Sequence, residues 1–219
     1  SAAGLTLAVE GGHNGEHHNH NDVGEVVVAC NGVPVLVDAG RPSYTAATFG
    51  RRRYQQWPMQ SGWHNVPLVR AVEQAAGARF RATAVEPLPD GLALDLVDAY
   101  PVPELSSWRR VARLADGQVT VHDSWRLAPW NGDAPEPTTT IHYLLAGTAT
   151  LAAGRADVGP LSGGNRVALE WPADIPVSST ERPLDDPMLS TVWGEQLTRI
   201  ELDVTGRSDL LVAVRQVTV

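Results

Sequence analysis

The chain has 219 residues, 43% of them hydrophobic and 19% charged, which is the composition of an ordered globular protein long enough to bury a substantial core. Its formal net charge of -8 argues against general nucleic-acid binding, which calls for a basic surface, and leaves room only for local basic patches. No apolar run is long enough for a membrane span.

In chain order, the first feature is the polar run Gly12-His13-Asn14-Gly15-Glu16-His17-His18-Asn19-His20-Asn21-Asp22, which holds four of the seven histidines. Residues 25–30 and 33–38 flank Asn31-Gly32, the strongest short hairpin signal, and predict an antiparallel pair. A short helical piece is expected near residues 69–76. Segments 80–85 and 92–97 alternate apolar and polar positions. Segments 107–114 and 118–125 flank Ala115-Asp116-Gly117 and predict a second hairpin. The stretch 129–137, rich in Pro, Gly and Asp, reads as a surface loop, and 183–187 as another. Segments 139–143 and 167–169 alternate again, and 197–204 and 210–219 form a last pair joined through Gly206. Period-two patterning with turn residues every ten or so positions predicts an all-β protein. The expected architecture is an antiparallel β-sandwich of two large sheets, with long loops and little helix, as one domain over residues 1–219.

Cys30 is the only cysteine, so there is no intrachain disulfide, and its place in Val26-Val27-Val28-Ala29-Cys30 suits a buried, inert thiol. All 17 basic residues are Arg. Codon bias in a GC-rich bacterial genome explains that better than selection for bidentate anion contacts, although a few positions can serve both.

The histidine run is the best pointer to chemistry, because imidazole both binds metals and moves protons near neutral pH. Three segments stand in order: His18-Asn19-His20-Asn21-Asp22, then Val35-Leu36-Val37-Asp38-Ala39-Gly40, then Gln60-Ser61-Gly62-Trp63-His64-Asn65. Two histidines and a carboxylate from such segments form a set that zinc accepts, with water as fourth ligand. The hairpin imposes a test. With a two-residue turn at Asn31-Gly32, Glu25 pairs with Asp38, and His20 lies five residues further on, roughly 17 Å along an extended strand. His20 and Asp38 can meet only if the chain folds back near Val23-Gly24 or a bulge shifts the register.

Residues 11–67 resemble the C-terminal domain of the heparinase II/III-like polysaccharide lyases. The matching residues are Gly12-His13-Asn14-Gly15-Glu16, His18-Asn19-His20-Asn21-Asp22-Val23-Gly24 and Val37-Asp38-Ala39-Gly40. They continue with Tyr44-Thr45, Phe49, Arg53-Tyr54, Trp57, Met59-Gln60-Ser61 and His64-Asn65-Val66-Pro67. His17 departs from the pattern, where relatives often carry a small polar residue. The resemblance implies a β-sandwich joined to an N-terminal α/α toroid domain, and cleavage of uronic-acid-containing polysaccharide, glycosaminoglycan or alginate, by β-elimination. It implies that His18 is the catalytic histidine facing the cleft and that His20, Asp38 and His64 hold a mainly structural zinc. The catalytic tyrosine and the group neutralising the uronate would come from the toroid, so the domain alone is expected to be inactive.

The residues fit that division of labour. His18 and His20 alternate, so on an extended segment one faces the cleft and the other a metal. Glu16, Asp22 and Asn65 are candidates to orient metal-bound imidazoles. In Gly50-Arg51-Arg52-Arg53-Tyr54, Arg51 and Arg52 are candidates for an anionic polysaccharide, against the alternative of a solvated loop. Gln60, Ser61 and Asn65 are candidates for sugar hydroxyls, against loop scaffolding beside the metal. Trp57 and Trp63 lead the candidates for sugar stacking, while His122 and His142 read as ordinary sheet residues. Two rival readings remain: a free-standing zinc hydrolase using His18, His20, Asp38 and His64, and a carbohydrate-binding or domain-docking module without turnover.

Overall fold

The computed structural model describes residues 4–45, 48–50, 52–161 and 163–217. Strands are numbered along the chain. One antiparallel sheet runs β1 (Leu5–Val9), β2 (Val26–Cys30), β3 (Val33–Leu36), β9 (Thr140–Ala146), β14 (Gln196–Asp203) and β13 (Val177–Pro183), with β4 (Pro67–Leu68) also paired to β9. The other runs β10 (Thr148–Ala152), β11 (Arg155–Gly159), β12 (Val167–Glu170), β15 (Asp209–Gln216), β8 (Gln118–Leu127), β7 (Leu105–Ala115), β6 (Gly91–Asp95) and β5 (Thr83–Leu88). Neither sheet closes on itself, and their inner faces share one apolar core, so the expected all-β sandwich is what forms.

Alternation explains how the core is filled. In β8, Val119, Val121, Asp123 and Trp125 are buried while His122 and Arg126 face out; in β15, Leu210, Val212 and Val214 are buried while Leu211 is exposed. Both predicted hairpins form. Asn31 and Gly32 (φ 50° and 81°) and Asp116 and Gly117 (φ 51° and 75°) supply the consecutive positive φ angles that a tight two-residue turn requires. The expected helix near 69–76 does not form. Val69 and Val72 pair in a bridge instead, and the chain reverses through Arg70 and Ala71, both in the left-handed region. The expected loop at 183–187 is shorter than predicted: β13 includes Pro183, and Pro187 opens helix α1 (Pro187–Trp193). Asp186 caps α1 by accepting from the backbone N–H groups of Met188 and Leu189.

A charged pair lies inside the core. Arg110 of β7 and Asp123 of β8 are fully buried, and the guanidinium donates through Nε and Nη2 to the two carboxylate oxygens, each at 2.9 Å. Trp108 stacks on Trp125 at 4.5 Å and donates its indole N–H to Asp123 Oδ1. Arg110 Nη1 crosses to the facing layer and donates to the carbonyls of Gly24 (2.8 Å) and Asn65 (2.6 Å). Burial works against the charged guanidinium, and Asp123 more than offsets it. His142 of β9 is also buried, between the Gly62 carbonyl and the Thr140 hydroxyl, and burial, reinforced by the Arg199 charge, holds its pKa down at about 3.

Arg110→Met leaves Asp123 buried without its cation and should cost about 3–5 kcal/mol in urea unfolding, whereas Arg110→Met/Asp123→Leu should recover most of that loss. His142 stays neutral in the fold but takes up a proton in the unfolded chain below pH 6.5. Stability should therefore fall as pH drops from 6.5 toward 3, by up to about 1.4 kcal/mol per unit from this group. His142→Gln should remove that part of the slope in unfolding curves measured across the range.

Candidate metal centre and acidic cleft

The histidine loop is tied down by amides. Asn14 donates to the Gln74 side chain (2.9 Å), and Gln74 exchanges hydrogen bonds with the backbone N–H and carbonyl of Val23 (3.1 and 2.7 Å). Asn21 N–H donates to the Met59 carbonyl, and the Arg53 guanidinium donates to the Asn19 carbonyl. The loop then turns through Gly24 (φ 91°), with Glu25 N–H donating to the Asp22 carbonyl, and only at Val26 does β2 begin. The β2–β3 pair also carries a bulge: Cys30 pairs with Val33 and Ala29 with Pro34, but Val28 pairs with Leu36. Both routes left open by the hairpin test are therefore used, and His20 Nδ1 comes to 3.7 Å from Asp38 Oδ1.

His20, Asp22, Asp38 and His64 offer ligand atoms that all lie within 4.8 Å of one another. Asp22, expected only as a support, thus joins the three predicted ligands. The imidazole nitrogens argue that the set fits a metal ion. Nδ1 of His20 and Nδ1 of His64 are buried without a hydrogen-bond partner. His64 Nε2 lies 3.0 Å from the Pro58 carbonyl, so it carries the ring proton and leaves Nδ1 with a free lone pair. An orphaned buried acceptor is costly unless something meets it. Asp38 accepts from Gly40 N–H (2.6 Å). Although its burial favours the neutral acid, His20 and His64 pull its pKa below the usual carboxylate range. Burial works against the protonated form of His20, but the adjacent Asp38 and Asp22 carboxylates outweigh it and raise its pKa.

Glu25 was not singled out as a site residue by the sequence. It is fully buried, accepts from Asn65 N–H (2.6 Å) and Asn65 Nδ2 (2.5 Å), and lies 3.7 Å from His64 Nδ1. Burial, with the nearby Asp38 and Asp22 charges, pushes its carboxyl well up. The only sequence signal was its place as the acid opening an apolar strand. Glu10 was likewise missed. Beside the metal group, Glu10, Glu16, Glu25 and Asp38 line a cleft of ≈ 490 Å³. Burial there, then the charges of Asp22 and Asp38, raises the Glu10 pKa to about 7.

The remaining predicted residues fall in different places. His18 is exposed and has φ 61°, uncommon for a non-glycine residue; its Nδ1 lies 3.5 Å from Tyr44 Oη and its ring stacks over Tyr44. Tyr44 is exposed beside Phe49 (5.3 Å) and under the Arg41 guanidinium (4.9 Å). Arg52 is exposed, and Arg51 lies outside the described residues. Glu16 is exposed on the cleft rim. Ser61 and Asn65 are fully buried: Ser61 Oγ accepts from Gln74 N–H, while Asn65 also donates to the Val26 and Val37 carbonyls and accepts from Leu144 N–H. Gln60 donates to the Tyr54 carbonyl. Trp57 and Trp63 pack edge to face (5.2 Å), with the Arg182 guanidinium over both.

The chain is thus a two-sheet antiparallel sandwich carrying a His/Asp group able to hold a metal ion. Among solved structures this is the fold of a region of the heparinase III-type lyases. A heparinase III gene product with methylated lysines matches with a TM-score of 0.70 and 15% identity, over 97% of this chain and 32% of that one. Heparan sulfate lyase HepC from Pedobacter heparinus matches with a TM-score of 0.69 and 16% identity, over 96% and 33%. A further heparinase III matches with a TM-score of 0.63 and 15% identity, over 91% and 30%. The chain therefore spans about a third of the length of these enzymes. No family model and no curated protein sequence matches it.

Titration with Zn²⁺ or Co²⁺ checks the ligand set. One ion should bind per chain, and His20→Ala, Asp38→Ala, His64→Ala and Asp22→Asn should each weaken binding at least about tenfold. Because a proton competes for His20, whose pKa is raised, affinity should fall steadily as pH drops through and below the neutral range.

Proposed function

We propose that this chain is the β-sandwich part of a polysaccharide lyase that cleaves uronic-acid-containing polysaccharide by β-elimination. In this reading His20, Asp38 and His64, with Asp22 beside them, hold zinc, and His18 is the histidine presented to the substrate. One observation carries the reading: two buried, unpartnered imidazole nitrogens converge with Asp38, while His18, two residues before His20, is turned outward in a strained backbone conformation.

Zinc, when bound, supplies a fixed positive charge and a cross-link between the three segments. The chain's own residues then divide the work. In elimination a base takes the C5 proton, the electron pair forms the C4–C5 double bond, the C4–O bond breaks, and the leaving oxygen takes a proton. The C5 proton is weakly acidic, so the proton carrier must be held in place and the carboxylate charge countered. Anchoring at His20 and stacking on Tyr44 hold the His18 imidazole for proton transfer. The Arg41 guanidinium over the Tyr44 ring that stacks on His18 gives a polyanion a cation to meet beside that imidazole. The countercharge for the uronate and the catalytic tyrosine are assigned to an α/α toroid partner domain.

The test uses the parent enzyme with its toroid, assayed for the unsaturated product on heparan sulfate, heparin, chondroitin and alginate. His18→Ala should cut kcat by about 10²–10⁴-fold with zinc content and melting temperature unchanged, and the sandwich alone should give no product. Wild-type turnover by His18→Ala, or turnover by the sandwich alone, would overturn the assignment.

A further inference from the structure

Strand β1 is the end strand of its sheet. Leu5 to Val9 pair with β2 in unbroken register, and among the described residues no strand pairs with the other side of β1. Glu10 N–H donates to the Glu25 carbonyl and Asn31 N–H to the Gly4 carbonyl, one step beyond either end of the ladder. In an antiparallel pair the hydrogen-bonded positions alternate. The backbone groups of Thr6 and Ala8 therefore face β2, and those of Leu5, Leu7 and Val9 face outward.

Two depressions flank this edge and share Val9. On the core side, Leu7, Val9, Pro89, Leu92 and Leu114 line a groove of ≈ 430 Å³. The two leucines of the facing sheet, with Leu7 and Val9, pack on the core yet are only partly buried, so the apolar interior reaches the margin of the sandwich here. On the outer side lies the acidic cleft, lined by Ala8 and Val27 as well as by the exposed Glu10 and Glu16. The edge also lacks the features that usually blunt a free strand, namely charge, proline or a bulge. Strand β5 has a bulge and Glu86-Pro87, and β13 has Glu181, Arg182 and Pro183. The sequence of β1, Leu-Thr-Leu-Ala-Val, has none of them.

We propose that β1 is a docking edge, to which an extended segment of a partner polypeptide, alternating apolar residues with Lys or Arg, adds as one more strand. The alternation follows from the geometry, because directly opposed residues in a ladder share a face. Partner residues opposite Leu5, Leu7 and Val9 take up the free backbone groups and turn into the apolar groove. Those opposite Thr6 and Ala8 turn to the acidic cleft, where a long basic side chain meets Glu10 and Glu16. Main-chain hydrogen bonds supply the adhesion, and the two depressions supply the selection. A second copy of this chain is a poorer occupant. Its own β1 would offer only Thr6 and Ala8 to the acids, and each copy carries a net charge of -8. The interaction needs neither a metal nor turnover, so its test stands apart from the lyase assignment.

The probe is the peptide acetyl-Thr-Val-Lys-Val-Lys-Val-Thr-amide, titrated into this chain while amide exchange is followed residue by residue by NMR. Binding should saturate in the micromolar to low millimolar range. At saturation, exchange should slow at least about tenfold at Leu7 and Val9, and less at Thr6 and Ala8, whose N–H groups are already bonded. A peptide with Glu in place of Lys should bind at least about tenfold more weakly, and Glu10→Gln/Glu16→Gln should narrow that gap. Leu7→Pro removes an outward N–H that β2 does not use, so it should leave the chain folded and abolish binding. The absence of saturable binding would overturn the proposal, as would equal affinity for the Lys and Glu peptides. Binding that leaves exchange at Leu7 and Val9 unchanged would overturn the strand addition. Concentration-dependent protection of Leu7 and Val9 without peptide would give the edge to a second copy instead.

Discussion

One buried ion pair holds the molecule's layers in register. Arg110 and Asp123 are fully buried between the two sheets, so each needs the other. The pair is fully used: Asp123 takes Nε and Nη2 of Arg110 and the Trp108 indole, and the remaining guanidinium nitrogen reaches across to Gly24 and Asn65. Those carbonyls lie two residues after Asp22 and one residue after His64. A core interaction of the second sheet therefore sets the distance between two segments that carry side chains of the candidate metal group. Buried ion pairs are weak evidence for stability in themselves. Here the pair locates two otherwise irregular loops.

The histidine loop is organised on a similar plan. Its members of the candidate metal group, His20 and Asp22, come from a segment without regular structure, and side-chain amides replace the missing ladder. Asn14, Asn21 and Gln74 donate to the Ala75, Gln74 and Val23 carbonyls and Asn19 accepts from Glu16 N–H, satisfying backbone groups that a strand or helix would have paired. His18 and His20 consequently face different surroundings through loop geometry, since His18 has a positive φ and the segment is not extended.

How much of this could be read in the sequence follows from how local each signal is. The two hairpins, with Asn31-Gly32 and Asp116-Gly117, and the alternating strands β8, β14 and β15 are local, and they were legible. Strand β13 was not, because Val177–Pro183 is mostly exposed at a sheet edge and shows no alternation. Seven-residue α1 is too short for a helical period to emerge. The helical piece expected near 69–76 gives way to a turn at 69–72: Arg70 and Ala71 are good helix formers, and tertiary demand overrides that propensity. At the metal group, His20, Asp38 and His64 were recognisable as residue types in order. Asp22 as a fourth member, Glu25 beside His64 and the acidic Glu10 wall depend on long-range folding that no spacing reveals.

The bulge in the β2–β3 hairpin bears on which sequence changes the chain can accept. Val35 is the extra residue between Pro34 and Leu36, and Val35, Leu36 and Val37 are all buried in succession. Side chains in a strand alternate, so any change by a single residue between Asn31 and Asp38 swaps inside for outside. Deleting Val35 would reverse the faces presented by Leu36 and Asp38. The hairpin thus behaves as a parity count. Substitutions that keep its length are open to drift, whereas a one-residue insertion or deletion there would part Asp38 from His20 and His64. Descendants of this chain should therefore vary in side chain along β3 but not in its length.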